Sequence, residues 1–198
     1  MDWLAMIDGS GWGLGWPRII LLAVALQRLL ELVLARRNTA RLLTQGAREA
    51  GAGHYPLFVV LHAGWLAALF VATPADAPAN GWLLALFAML QAGRVWVIAT
   101  LGRYWTTRII TLDGAPLVRR GPFRLVRHPN YLVVAGELVV LPLVFGTVWI
   151  AVAATLLNLP LTLHRIRVEE EALRGRDGTP AAGGRWTAWN GRGCPPTA

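Results

Sequence analysis

Two short stretches of the chain carry the residue types that bind and move charge. The first, GPFRLVRHPNYLVVAGE, runs from Gly121 to Glu137 and sets Arg124, Arg127 and His128 against the start of an apolar run. The second, LHRIRVEEEALRG, places Glu169, Glu170 and Glu171 just beyond another apolar run, beside Arg165 and Arg167. Proline at 129 suits the first turn of a helix, where its missing N–H goes unneeded, so His128 falls near the N-cap. The free amides of that turn, with Arg124 and Arg127, suit an anionic group. The carboxylates suit hydroxyls or an amine, and Tyr131 offers an aromatic wall. Taken alone, Arg165 and Glu169 are four residues apart and read as a surface salt bridge. Taken together, the two stretches would meet each part of an amphiphilic ligand with a carboxylate, an amine, hydroxyls and an aromatic base. Glu137 follows Asn130 by seven residues on the same helix face and could line a cavity behind His128.

The elements that must hold these residues are membrane helices. The chain has 198 residues, 55% of them hydrophobic, yet a formal net charge of +8; a soluble domain of this size has no use for so much apolar surface. Runs long enough to cross about 30 Å of hydrocarbon cover 16–34, 56–73 and 81–101. A fourth apolar block, interrupted near Phe145, Gly146 and Thr147, reads as two short helices, 131–145 and 147–163, joined by a tight turn. The expected fold is therefore an all-α integral membrane protein of about five transmembrane helices, with a short hairpin of the fourth and fifth and a cytoplasmic cofactor pocket. Residues 1–176 form one domain, and the Gly/Pro-rich tail 177–198 reads as disordered.

Arginine placement agrees with an odd number of spans. Arg36, Arg37, Arg41 and Arg48 follow the first, Arg103 to Arg127 lie between the third and fourth, and Arg165, Arg167, Arg174 and Arg176 follow the fifth. The intervening TPADAPANG and the tight turn have none. Positive charge collects on the cytoplasmic side, which puts the amino terminus outside and the carboxyl terminus in the cytoplasm. Trp16, Trp82 and Trp149 fall at the outer ends, as an interfacial aromatic belt requires. The loop around Asp113-Gly114 alternates β-branched residues and predicts a small hairpin on the membrane surface.

Ionisable groups at membrane depth cost about 2.5–3.5 kcal/mol each on insertion scales and so need a partner or a purpose. Arg28 and Glu31 can pair three apart on one helix face. His62, Gln91, Arg94, Glu137 and Asn158 could bond between helices. The single cysteine, Cys194, excludes a disulfide framework and a thiolate metal site, and no metal set is visible.

RHPNY, a short helical hairpin and then RI-x-x-EE-x-A-L together resemble the isoprenylcysteine carboxyl methyltransferase family, over roughly Arg103 to Leu173. QRLLELVLARRN and GAREAGAGHYPLFVVLH resemble the bacterial branch associated with type III polyketide synthases, whose members O-methylate alkylpyrones or related phenolic lipids; this extends the resemblance over most of Gln27 to Leu173. It implies S-adenosylmethionine as cofactor, bound by Arg127, His128, Tyr131, Glu169 and Glu170. Arg165, from the second motif, and Glu137, from its place on the helix, are the expected catalytic residues. The chain departs from many relatives in having Val133 two residues after the tyrosine, and in its tail, where Trp186 and Trp189 could fold back as a lid.

The implied reaction is methyl transfer to an oxygen of a lipophilic acceptor entering from the bilayer. An enolic hydroxyl or carboxylate is largely ionised near neutral pH and needs no strong base, whereas a phospholipid ammonium must first lose a proton. Methylation of a prenylcysteine carboxylate or a phospholipid amine stays open on the motifs. So do an NADPH-dependent membrane reductase, whose phosphates the arginines would suit, and a non-catalytic anchor that contacts membrane lipids or a type III polyketide synthase. No nucleic acid partner is expected.

Overall fold

The computed structural model describes residues 15–115 and 117–174. Five long helices account for most of them: α1 (Trp16–Thr44), α2 (Tyr55–Ala72), α3 (Gly81–Leu101), α4 (Pro129–Val144) and α5 (Val148–Ala172). Three helical segments, Ala52–Ala72, Gly81–Tyr104 and Val148–Ala172, are long and apolar enough to cross a membrane. α4, at 16 residues, is shorter than the roughly 20 that a bilayer asks for. α1 has the length but carries Gln27, Arg28 and Glu31 at its middle.

α1 and α5 run past the ends of their apolar segments. In ARRNTARLLT and LHRIRVEEEA the hydropathy falls, but neither stretch contains a Gly or Pro to stop a helix, and both are rich in good helix formers. α5 therefore carries its charged end as a rigid continuation of its buried part. The α4–α5 turn lies at Phe145–Thr147, where Gly146 adopts a φ of 72°, a left-handed conformation that only glycine takes at no steric cost. The Thr147 hydroxyl closes the turn by donating to the Pro142 carbonyl at 3.0 Å.

The surface hairpin expected around Asp113-Gly114 does not form. Its first strand, β2 (Ile109–Thr111), pairs antiparallel with β1 (Arg48–Ala50) from the α1–α2 connection, with Glu49 opposite Ile110. β2 finds its partner in a distant segment, which alternation within one loop cannot reveal.

α3 packs on α4, α4 on α5, α5 on α2 and α2 on α1. The main apolar core, including Leu21, Leu69, Phe87, Leu138 and Leu141, lies between these helices. Trp16, Trp82 and Trp149 stand exposed on the first turns of α1, α3 and α5. That these turns share one end follows from Trp16 stacking 5.9 Å from Phe145 and from Asn80 N–H donating to the Val144 carbonyl. Many leucines and valines of the helices are exposed, as a surface facing lipid tails would be.

Four charges meet inside the bundle. Arg28 of α1 reaches Glu31 at 3.0 Å and Glu137 of α4 at 2.7 Å; Arg94 of α3 reaches Glu31 at 2.6 Å and Glu137 at 3.4 Å. Gln27 donates to Glu31 and to Gln91, both at 3.0 Å. The local pair that the three-residue spacing of Arg28 and Glu31 suggests is thus half of a closed, net-neutral ring that joins α1, α3 and α4. Breaking one side of a buried ion pair costs about 3–5 kcal/mol, while removing both sides costs far less. Thermal unfolding in detergent should show a large loss of stability for Arg94→Leu, and the loss for Arg94→Leu with Glu31→Leu should fall well short of the sum of the two single variants.

Candidate active site

The hairpin geometry sets the first turn of α4 beside the last turns of α5. Pro129 starts α4, so Tyr131 stands in its first turn and His128 occupies the N-cap position, with its ring turned away from the helix amides to other partners. The Tyr131 hydroxyl donates to Glu169 Oε2 at 2.5 Å and accepts from Arg165 Nε at 3.0 Å. His128 Nε2 lies 3.4 Å from Glu170 Oε1, and its Nδ1 3.9 Å from Glu169 Oε2. Its ring is 5.5 Å from that of Tyr131. Arg127 Nη1 comes within 3.5 Å of the same Glu170 oxygen. All five residues expected to bind cofactor, together with Arg165, thus form one cluster.

Within it the charges are graded by exposure. Arg165 is buried, and its guanidinium has three contacts: Tyr131, the Thr107 carbonyl at 2.6 Å, and the face of Phe58 at 5.1 Å. The salt bridge that the Arg165–Glu169 spacing suggests is replaced by a relay in which the tyrosine hydroxyl stands between them. Glu170, by contrast, has 39% of its side chain exposed, and Glu171 is exposed outside the cluster. The arrangement offers carboxylate oxygens to solvent in front of an aromatic ring, with cationic groups beside a helix amino terminus.

Glu137 is not part of this cluster. It lies deeper on α4, with its two oxygens accepting from Arg28 and Arg94. The expected Trp186 and Trp189 lid lies outside the described residues, as does the tail from 177.

Several participants escape a reading by motif. Thr107 supplies its carbonyl from the connection before β2, and its hydroxyl is 3.2 Å from that of Tyr55. Phe58 lies on α2 under Arg165. The β1–β2 pairing and the Arg108–Glu49 ion pair at 2.9 Å hold this connection against the α1–α2 loop. No spacing rule announces a backbone carbonyl or an aromatic ring on a helix far away in the sequence.

Residues 83–175 match the isoprenylcysteine carboxyl methyltransferase (ICMT) family. An uncharacterized protein of Bacillus subtilis, YpbQ, is 34% identical over 163 residues, covering 80% of this chain and 96% of its own length. An uncharacterized protein of Haemophilus influenzae is 29% identical over 153 residues, covering 74% of this chain and 88% of its own. No solved structure matches significantly. The chain belongs to the isoprenylcysteine carboxyl methyltransferase family, a family of membrane methyltransferases, and the His128–Glu170 cluster falls wholly within the matched residues.

The relay makes its members unequal for stability. Tyr131→Phe leaves buried Arg165 without one acceptor and should lower the unfolding free energy by about 1–3 kcal/mol. Glu170→Gln, at the exposed rim, should change it by less than about 1 kcal/mol; chemical denaturation of both purified variants in detergent tests the contrast.

Proposed function

We propose that the protein is an S-adenosylmethionine-dependent O-methyltransferase acting on a lipophilic acceptor such as an alkylpyrone or phenolic lipid. The observation that supports this best is the convergence of His128, Tyr131, Arg165, Glu169 and Glu170 at one end of the α4–α5 hairpin, in a chain of a methyltransferase family. The donor set suits the cofactor. Glu169 and Glu170 have partly exposed side chains, whose carboxylates suit ribose hydroxyls or an ammonium. Arg127, His128 and the first amides of α4 suit a carboxylate. The Tyr131 ring provides a wall for an aromatic base.

When bound, the cofactor supplies a methyl group activated by its sulfonium. The protein's own work is then alignment, since holding reactants in line can supply much of an acceleration. Arg165 acts as a positioning residue, fixing the Tyr131 hydroxyl and, through it, Glu169. An acceptor that is already largely ionised needs no strong base. This accords with both oxygens of Glu137 being engaged by arginines; Glu137 then serves the site by setting where α4 stands. The acceptor would slide in from the bilayer, as the lipophilic product of a type III polyketide synthase. The arginine-rich end would face the cytoplasm of a bacterial inner membrane.

Membranes containing the protein should transfer labelled methyl from S-adenosylmethionine to a long-chain 4-hydroxy-2-pyrone, and Glu170→Gln should reduce transfer by about 100-fold, a loss of roughly 3 kcal/mol in transition-state stabilisation. No transfer to lipid, together with no binding of S-adenosylhomocysteine by the purified protein, would sink the proposal.

A further inference from the structure

A concave region lies where α3 ends. It has a volume of about 580 Å³, and it is lined by Thr100, Arg103, Tyr104, Arg119 and Arg120 with apolar neighbours such as Leu117. It shares no lining residue with the His128–Glu170 cluster. The carboxyl end of a helix carries partial negative charge and by itself repels an anion. Here the sign is reversed. Arg120 Nη2 lies 3.5 Å from the Thr100 carbonyl, and Arg103 both stacks on Tyr104 at 4.9 Å and donates to its hydroxyl. No Asp or Glu is among the described residues that line the cavity.

Two further observations put this cavity in the headgroup zone of a bilayer. Trp96, near the end of α3, is exposed, as tryptophans at a membrane interface are. Leu125 is 76% exposed and Val126 is exposed beside it, both next to the exposed Arg124. Apolar side chains projecting among arginines are poorly placed in water and well placed where acyl chains meet phosphates. The segment is held there by Gly121: a Cβ at that position would come within 2.7 Å of Thr100 Oγ1, so only glycine lets Arg119–Arg124 lie against the end of α3.

We propose that this cavity binds an anionic phospholipid, its phosphodiester oxygens held by the guanidinium forks of Arg103 and Arg120 and its acyl chains beside Trp96, Leu125 and Val126. The forks match phosphate geometry in pairs of hydrogen bonds. A zwitterionic lipid would bring an ammonium for which the lining offers no carboxylate. The inference is independent of methyl transfer.

The test is native mass spectrometry of the full chain in neutral detergent, titrated with dioleoylphosphatidylglycerol or dioleoylphosphatidylcholine. Expected is a one-to-one adduct with the phosphatidylglycerol only, weakened about tenfold or more by Arg103→Gln with Arg120→Gln. The same loss of charge on α1, Arg36→Gln with Arg37→Gln, should change affinity by less than about twofold. If the glutamine pair fails to fold, Arg103→Lys with Arg120→Lys keeps the charge and removes the forks, and it should still weaken binding several-fold. Equal binding of both lipids, equal loss in both glutamine pairs, or undiminished affinity in the lysine pair would overturn the proposal. Displacement of the lipid by millimolar inorganic phosphate would instead assign the cavity to a free anion.

Discussion

Two arginines and two glutamates in the interior of the helical bundle decide how the rest of it can be arranged. Arg28, Glu31, Arg94 and Glu137 alternate in sign and touch in a ring, so that no charge is left to face hydrocarbon alone. A ring of this kind tolerates little displacement, because the attraction that offsets desolvation depends on close contact and satisfied hydrogen bonds. It ties α4 to α1 and α3, and α4 in turn determines where the His128–Tyr131 turn meets the end of α5. The site is thus positioned by a polar network in the bundle and an apolar hairpin beside it.

Much of this can be read from residue order. The breaks between helices follow from Gly, Pro and loss of hydropathy, and Pro129 marks the start of α4 by its chemistry alone. Charged residues beside apolar runs need a reason, which singles out the stretches holding Arg127, His128, Glu169 and Glu170, while Tyr131 and the choice among neighbouring arginines and glutamates come from the resemblance of RHPNY and RI-x-x-EE-x-A-L; α4 and α5, connected by three residues, can only be antiparallel neighbours. The extensions of α1 and α5 are harder to see, since hydropathy reports the bilayer rather than the helix.

The remainder depends on contacts with no local signature. Glu137 has a helix position that suits a cavity, yet its partners, Arg28 and Arg94, lie on two other helices, and nothing in the stretch around it tells an acid facing a site from an acid facing guanidinium groups. β2 alternates as a hairpin strand would, but a strand finds its partner by three-dimensional proximity, here Arg48–Ala50. The Thr107 carbonyl that holds Arg165 belongs to the backbone, which has the same chemistry at every residue.

The ring of charges also imposes an order on assembly. α1 leaves the ribosome carrying Arg28 and Glu31, while Arg94 follows Glu31 by 63 residues and Glu137 follows Arg28 by 109. Until then Arg28 and Glu31 have only each other and Gln27 of the same helix, and α1 is a poor candidate for release into lipid. It gains its full set of partners only after α4 has been synthesised. The first of the described helices is therefore among the last to settle, and the interval between the translation of α1 and of α4 is when the nascent protein most needs the shelter of the insertion machinery.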